Sequence, residues 1–228
     1  MSWQDSQAQH GILLSFRRRI PYVLIAAVLT LVFALVYLPR AAVGPQNSDG
    51  AELATAAVTG EVIHPPGYPV YHRLASYVVQ SREDVAYHTL AKFSAMLQAL
   101  AVGMLFLVSY LLCRHLLLSL AIAIAWGLYS PTLHTATDTE VFALHHFLVG
   151  VVLFACVWFG GRGKLHGGLL FLLGLLCGVA GAHHQTIIFW APVVIGLTWT
   201  SNWYLFARRL GFLVTGSIIG LSPYLLLF

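Results

Sequence analysis

Charge is what this 228-residue chain has least of. Only 9% of its residues are Asp, Glu, Lys or Arg, against about 25% in soluble domains, while 59% are hydrophobic. Such a chain cannot solvate itself as a globule, so it is an integral membrane protein. Its net charge of +4 calls for no nucleic-acid partner. The basic residues lie in short clusters between apolar runs, as membrane loops do. Cysteine is also scarce. Cys113, Cys156 and Cys177 sit in or beside apolar runs without CxxC spacing, which gives neither a disulfide framework nor a zinc site. Gly160-Gly161-Arg162-Gly163-Lys164 lacks the spacing and the preceding strand of a phosphate loop and reads as a short cytoplasmic turn. There is no HExxH, no Ser-His-Asp order, no low-complexity tract, no soluble domain and no clear repeat.

What is present is a series of seven apolar segments, roughly 21–39, 90–112, 116–130, 141–160, 167–182, 186–200 and 210–228. They predict an all-α, polytopic membrane protein of about seven transmembrane helices. Several are shorter than the ~20 residues of a perpendicular span and would need tilt or burial of their ends. The first follows Arg17-Arg18-Arg19 and is too long for a signal-peptide core, so it reads as a retained anchor. Gly174 and Gly178, and again Gly216 and Gly220, have the spacing of close helix packing in lipid, a pattern also common by chance. The expected layout is a cytoplasmic N-terminus over 1–20 and one membrane module over 21–228. The last run reaches Phe228 with no polar tail, which predicts truncation of a longer chain.

Orientation follows from the loops. With the N-terminus in the cytoplasm, Arg17, Arg18, Arg19, Arg114, Arg162, Lys164, Arg208 and Arg209 lie inside, against Arg40, Arg73, Arg82 and Lys92 outside. That is the positive-inside distribution. The acids separate more cleanly still: all but Asp5 fall outside. Acids do not set topology, so their asymmetry points to a site on the outer face.

The long outer loop, about 40–89, carries the richest chemistry. Residues 49–59 read as a short helix stopped at Gly60. Residues 70–80 read as a second helix lying on the membrane, with Val70, Leu74, Tyr77 and Val78 at helical spacing. Between them runs His64-Pro65-Pro66-Gly67-Tyr68-Pro69, a stiff elbow that serves either as a plain turn or as a rigid frame for a site. Asp49 and Glu52 are three apart at a helix start. A capping box explains that spacing, and so does a catalytic pair; a capping carboxylate can also be a base. Thr137-Asp138-Thr139-Glu140 opens the fourth span, as a cap or as a second acidic element. His183-His184 falls at the outer end of a span and suits a phosphate contact, a structural helix end or a metal. His145-His146 lies deeper and reads as structural.

These motifs together resemble a known family. The acid-x-x-Glu element, His-Pro-Pro-Gly-Tyr-Pro, Leu90-Ala91-Lys92-Phe93-Ser94-Ala95, Thr139-Glu140-Val141-Phe142-Ala143-Leu144-His145, Gly181-Ala182-His183-His184-Gln185-Thr186 and Gly220-Leu221-Ser222-Pro223-Tyr224 are similar to the transmembrane O-mannosyltransferases that act on plexin-type receptor domains. That family resembles the GT-C glycosyltransferases, which share a seven-span module and carry a catalytic acid in the first outer loop. The usual Asp-Ser-Gly-Glu stands here as Asp49-Gly50-Ala51-Glu52, which keeps the acid spacing. Family members also continue well past Phe228.

The resemblance implies a glycosyltransferase that takes a mannose-like sugar from a polyprenyl-phosphate carrier, with inversion, onto a protein or glycan hydroxyl at the outer or lumenal side. Asp49 would be the general base, and Glu52 would orient the acceptor or support Asp49. His64, Tyr68, Arg73, Glu140, His183 and His184 would surround the donor phosphate or substrate, with no metal ligand assigned. The expected location is a bacterial cytoplasmic membrane, or the endoplasmic reticulum in a eukaryote. The alternatives are a transporter or lipid flippase with a polar path through its spans, and a non-catalytic fragment.

Overall fold

A computed structural model describes residues 20–46, 48–80, 83–160 and 166–227. Most of the expected cytoplasmic N-terminus, with Arg82, Arg162 and Lys164, lies outside the described residues. The described residues form helices and turns, with no strand among them. In chain order the helices are α1 (Ile20–Tyr37), α2 (Ser48–Thr59), α3 (Pro69–Val79), α4 (Ala86–Cys113), α5 (Leu116–Gly127), α6 (Ser130–Thr137), α7 (Phe142–Gly160), α8 (Gly167–His183), α9 (Ala191–Gly196) and α10 (Trp203–Gly220).

All seven apolar segments are helical, but they are not seven equal spans. Four helices are long and apolar enough to cross a membrane: Pro21–Arg40, Ala86–Cys113, Phe142–Gly160 and Trp203–Leu225. The pair α5 and α6 makes a fifth if counted as one span bent by 62°. The bend falls before Pro131, whose ring would clash with a helical carbonyl four residues back. α8 has 17 residues and at 1.5 Å per residue reaches about 25 Å, short of the ~30 Å hydrocarbon core. The expected segment over 186–200 is broken into a 3₁₀ turn, Gln185–Trp190, and the six-residue α9. Pro192, in the first turn of α9, has no N–H to carry an α-helical bond back to the Ile188 carbonyl.

Three packed clusters hold the molecule. The outer one joins α2 and α3 to the first turns of α4 and α7 through Leu53, Ile63, Tyr71, Leu90 and Leu144. A second joins α1, α4 and α5 through Phe33, Tyr37, Val102 and Phe106. The third joins α7, α8 and α10 through Val152, Cys156, Leu173 and Leu213. In that last cluster the paired glycines matter. A methyl group on Gly174 would strike the Leu213 carbonyl, and one on Gly178 the Ser217 carbonyl and the backbone of Gly220. Methyls on Gly216 and Gly220 would strike the carbonyls of Phe171 and Leu175. The two backbones therefore touch, as small residues allow in lipid, where there is little hydrophobic drive between helices.

The outer loop carries both expected helices. α2 ends where Gly60 takes φ +78°, and its amide reaches the Ala56 carbonyl at 2.9 Å. α3 begins at Pro69, whose missing N–H costs nothing in a first turn. Its protein-facing stripe is Pro69, Tyr71, Ala75 and Val79. The apolar positions expected on a membrane-lying helix form another stripe: Leu74 and Tyr77 are exposed, and Val70 and Val78 are half-buried. α3 thus has two apolar stripes, and the bundle takes the one with the small Ala75.

Candidate active site

Asp49 lies in the first turn of α2 and is exposed. Glu52, one turn on, directs both oxygens at the elbow. The His64 amide donates to Oε1 at 2.6 Å, and His64 Nδ1 lies 2.8 Å from Oε2. The His64 amide is the main cause holding the Glu52 carboxyl below the usual carboxylate range, followed by the His64 side chain. A capping box would have turned Glu52 back on its own helix; this carboxylate instead fastens α2 to the elbow.

The elbow closes with the Gly67 amide on the His64 carbonyl at 2.9 Å, across a cis Pro65-Pro66 bond. It places Tyr68 with φ +41° and a buried ring. Around that ring lie His64, edge-on at 5.5 Å between centroids, His184, stacked at 5.8 Å, and His183 at 6.3 Å. Burial raises the Tyr68 phenol above its usual value, and the charges of Asp49, Glu140 and Glu52 raise it further. Tyr68 is therefore the ring on which the charges of the first-loop acids and of the acid before α7 act, and against which His64, His183 and His184 pack.

The second acidic element is fixed by polar bonds to α4. The Tyr87 hydroxyl donates to Asp138 Oδ1, which also accepts the Thr139 amide at 2.8 Å. Thr139 Oγ1 donates to the Tyr87 carbonyl at 3.0 Å, and Ser94 Oγ lies 3.3 Å from both the amide and the carbonyl of Glu140. The Tyr87 hydroxyl also accepts the Gln46 amide at 3.0 Å. Asp138 caps the C-terminus of α6 in extended conformation, so this element closes one helix as well as preceding the next. Ligand atoms of His134, Asp138 and Glu140 all lie within 4.8 Å of one another, the one described group able to hold a cation.

At the end of α8, His183 is wholly buried and its Nε2 meets the Val141 carbonyl at 3.0 Å; its Nδ1 has no hydrogen-bond partner among the described residues. His184 bonds Thr186 Oγ1 at 2.8 Å, and Thr186 Oγ1 in turn meets His145 Nε2 at 2.9 Å. His146 reaches Gln98 Oε1 at 2.9 Å.

Of the residues expected from sequence, Asp49, Glu52, His64, Tyr68, Glu140, His183 and His184 are thus brought together. Arg73 is exposed on α3, about 200° round the helix from both Tyr71 and Ala75 at ~100° per residue. No described contact joins it to the others. In the sequence Tyr87 has no assigned role, His145 reads as structural and Thr186 enters only as part of a motif; the partners that define Tyr87 and His145 lie 51 and 41 positions away. A separate cleft of about 340 Å³ is lined by Pro45, Ala54, Val58 and Tyr87 among others, and by none of the expected site residues.

An all-helical membrane protein with converging carboxylates and histidines at one end is the class this fold and site define. The chain belongs to the family described as the protein O-mannosyl-transferase TMEM260 N-terminal domain, whose profile matches residues 49–205. A curated relative, protein O-mannosyl-transferase tmem260 of Dictyostelium discoideum, is 25% identical over 222 residues, covering 87% of this chain and 26% of the relative. The chain thus spans about a quarter of that relative's length. No solved structure matches it.

Proposed function

We propose that this chain is the catalytic membrane module of a protein O-mannosyltransferase, and that it uses a polyprenyl-phosphate sugar on the outer or lumenal face. The observation that carries the reading is the packing of His64, His183 and His184 around the Tyr68 ring, with Glu52 bonded to His64 and the charges of Asp49 and Glu140 acting on the Tyr68 phenol. The family membership and the relative's name support transfer to a protein.

A lipid tail confines the donor head group to the membrane surface, where these residues lie. The carboxylate of Asp49 takes the proton of the acceptor hydroxyl. The acceptor oxygen then bonds to the anomeric carbon from the side opposite the phosphate. The carbon–oxygen bond to phosphate breaks, and its electron pair leaves with the polyprenyl phosphate. Histidine N–H groups near Tyr68 are placed to stabilise that charge, the kind of contribution that preorganised donors make. Glu52 is committed to His64, so it holds the elbow, while Asp49, exposed on the first turn, is the base. The direct displacement gives inversion.

The test is transfer by the full gene product in membranes, with polyprenyl-phosphate mannose and a protein acceptor. Release of polyprenyl phosphate together with new O-linked mannose supports the reading; movement of the lipid-linked sugar across the bilayer without transfer would replace it by the flippase. Sidedness is read by placing single cysteines at the exposed Val43 and Arg114 in a cysteine-free background. An impermeant thiol reagent should label them from opposite sides.

A further inference from the structure

His184 stands beside Tyr68 at the site, and its side chain is governed by two residues that the proposed chemistry has not yet used. The Thr186 amide lies 3.3 Å from His184 Nδ1. An N–H can only donate, so Nδ1 must be the bare nitrogen and the proton must sit on Nε2. The Thr186 hydroxyl lies between two rings, 2.8 Å from His184 Nδ1 and 2.9 Å from His145 Nε2. It has one hydrogen. With His184 Nδ1 bare, that hydrogen goes to His184, and the oxygen must accept from a protonated His145 Nε2. The chain His145 Nε2–H to Thr186 Oγ–H to His184 Nδ1 closes in this one direction. Reversing it would set an Nδ1–H of His184 against the Thr186 N–H. A doubly protonated His184 meets the same obstacle.

The remaining nitrogen, His184 Nε2, has no bond among the described residues. It is a hydrogen-bond donor on a half-buried ring held between Tyr68 at 5.8 Å, Phe142 at 5.1 Å and His145 at 4.8 Å. We propose that His145 and Thr186 are positioning residues that fix His184 as its Nε2–H tautomer and so present a neutral N–H donor to the departing phosphate. The inference rests on the function proposed above. A donor of this kind suits a phosphodiester that already bears one charge and gains a second as the bond breaks, because its orientation is set beforehand.

The ordinary alternative is that His184 merely caps the 3₁₀ turn that follows it. Thr186→Val separates the two, since it keeps the amide that makes the cap and removes the hydroxyl that makes the relay. In the full gene product we expect Thr186→Val to lower kcat about tenfold with little change in KM, the scale of one hydrogen bond, and Thr186→Ser to restore it. Histidine-labelled protein should show ¹⁵N signals of a protonated Nε2 and bare Nδ1 for His184, assigned by their loss in His184→Gln. Thr186→Val should shift them towards a tautomer mixture. An Nδ1–H tautomer in the wild type, or an unchanged kcat in Thr186→Val, overturns the positioning role. The NMR signature is independent of turnover. The expected tautomer in a protein that transfers no mannose would overturn the proposed function instead.

Discussion

The outer layer and the α8–α10 seam fasten helices by opposite means. At the seam four glycines bring backbone directly against backbone. In the outer layer the chain is held by polar side chains that cross between segments: Tyr87 to Asp138 and Gln46, Thr139 to Tyr87, Glu52 to His64. The difference has a physical source. In lipid, close approach of small residues strengthens dispersion contact without leaving a polar group to satisfy. At the water-facing end, directional bonds can be both made and exchanged, and direction is what a reacting site needs. One region is built for fit and the other for orientation, so substitutions in the two should fail differently.

The largest effect should come from Asp49→Asn. Asp49 is exposed in the first turn and Asn has nearly its shape, so thermal stability in detergent should fall by no more than the ~0.3–1 kcal/mol of one charge at a helix N-terminus. Loss of the proton acceptor should cut the transfer rate by about 10²–10⁴-fold. A stable and fully active variant would remove Asp49 from the chemistry and leave the outer layer with only a structural role.

At the seam the order of effects reverses. Gly178→Leu drives a side chain into the backbone of Ser217 and Gly220, and overpacking of this kind costs about 1–3 kcal/mol or more. Activity should fall only in proportion to folded protein. Gly211, on the same α10, has nothing within 4 Å of an added Cβ, so Gly211→Leu is the control and should be close to silent. Equal damage from both would mean that the seam does not set the packing.

Between these lies Tyr87→Phe. The phenol donates to a buried carboxylate and accepts an amide from the loop before α2. Its removal should cost about 1–2 kcal/mol. Because it releases the loop that carries Glu140, kcat should fall more than the unfolding temperature suggests. A purely structural bond would lower stability and leave the kcat of the folded fraction intact.

The legible part of this molecule is the part written in periodic or punctuated sequence. Gly60 and Pro69 mark where α2 ends and α3 begins, and the GxxxG spacing marks the seam. The acids mark themselves by being few and by falling, all but Asp5, in the 40–89 loop or just before α7. What could not be read depends on distance through the fold. Glu52 looked like half of a capping box, but its partner is 12 positions on, at His64. Tyr87 lies 51 positions from Asp138 and His145 lies 41 from Thr186. No local pattern reports such pairs. The number of spans was also hidden, since apolar length predicts helix better than it predicts crossing: α8 and the broken 185–196 segment are apolar but short.

The smallest effect belongs to Glu52 and is a matter of pH. Its carboxyl is held below the ordinary value of 4.5 by the His64 amide and side chain. A depressed carboxyl stabilises the fold above its unfolded pKa, and the benefit disappears as pH falls through the lowered folded value. The Glu52 side chain is about 41% exposed, so solvent screening keeps the contribution below about 1 kcal/mol. Glu52→Gln retains an oxygen for the His64 amide but loses the charge that faces the ring. At pH 7 it should unfold slightly earlier than the wild type, and the gap should close as the pH is taken well below 4.5. Exchange of the His64 amide, followed by mass spectrometry of the elbow peptide, should show the same convergence locally. A gap that persists undiminished in acid would mean that shape rather than charge joins α2 to the elbow. The outer layer would then be held, like the seam, by fit.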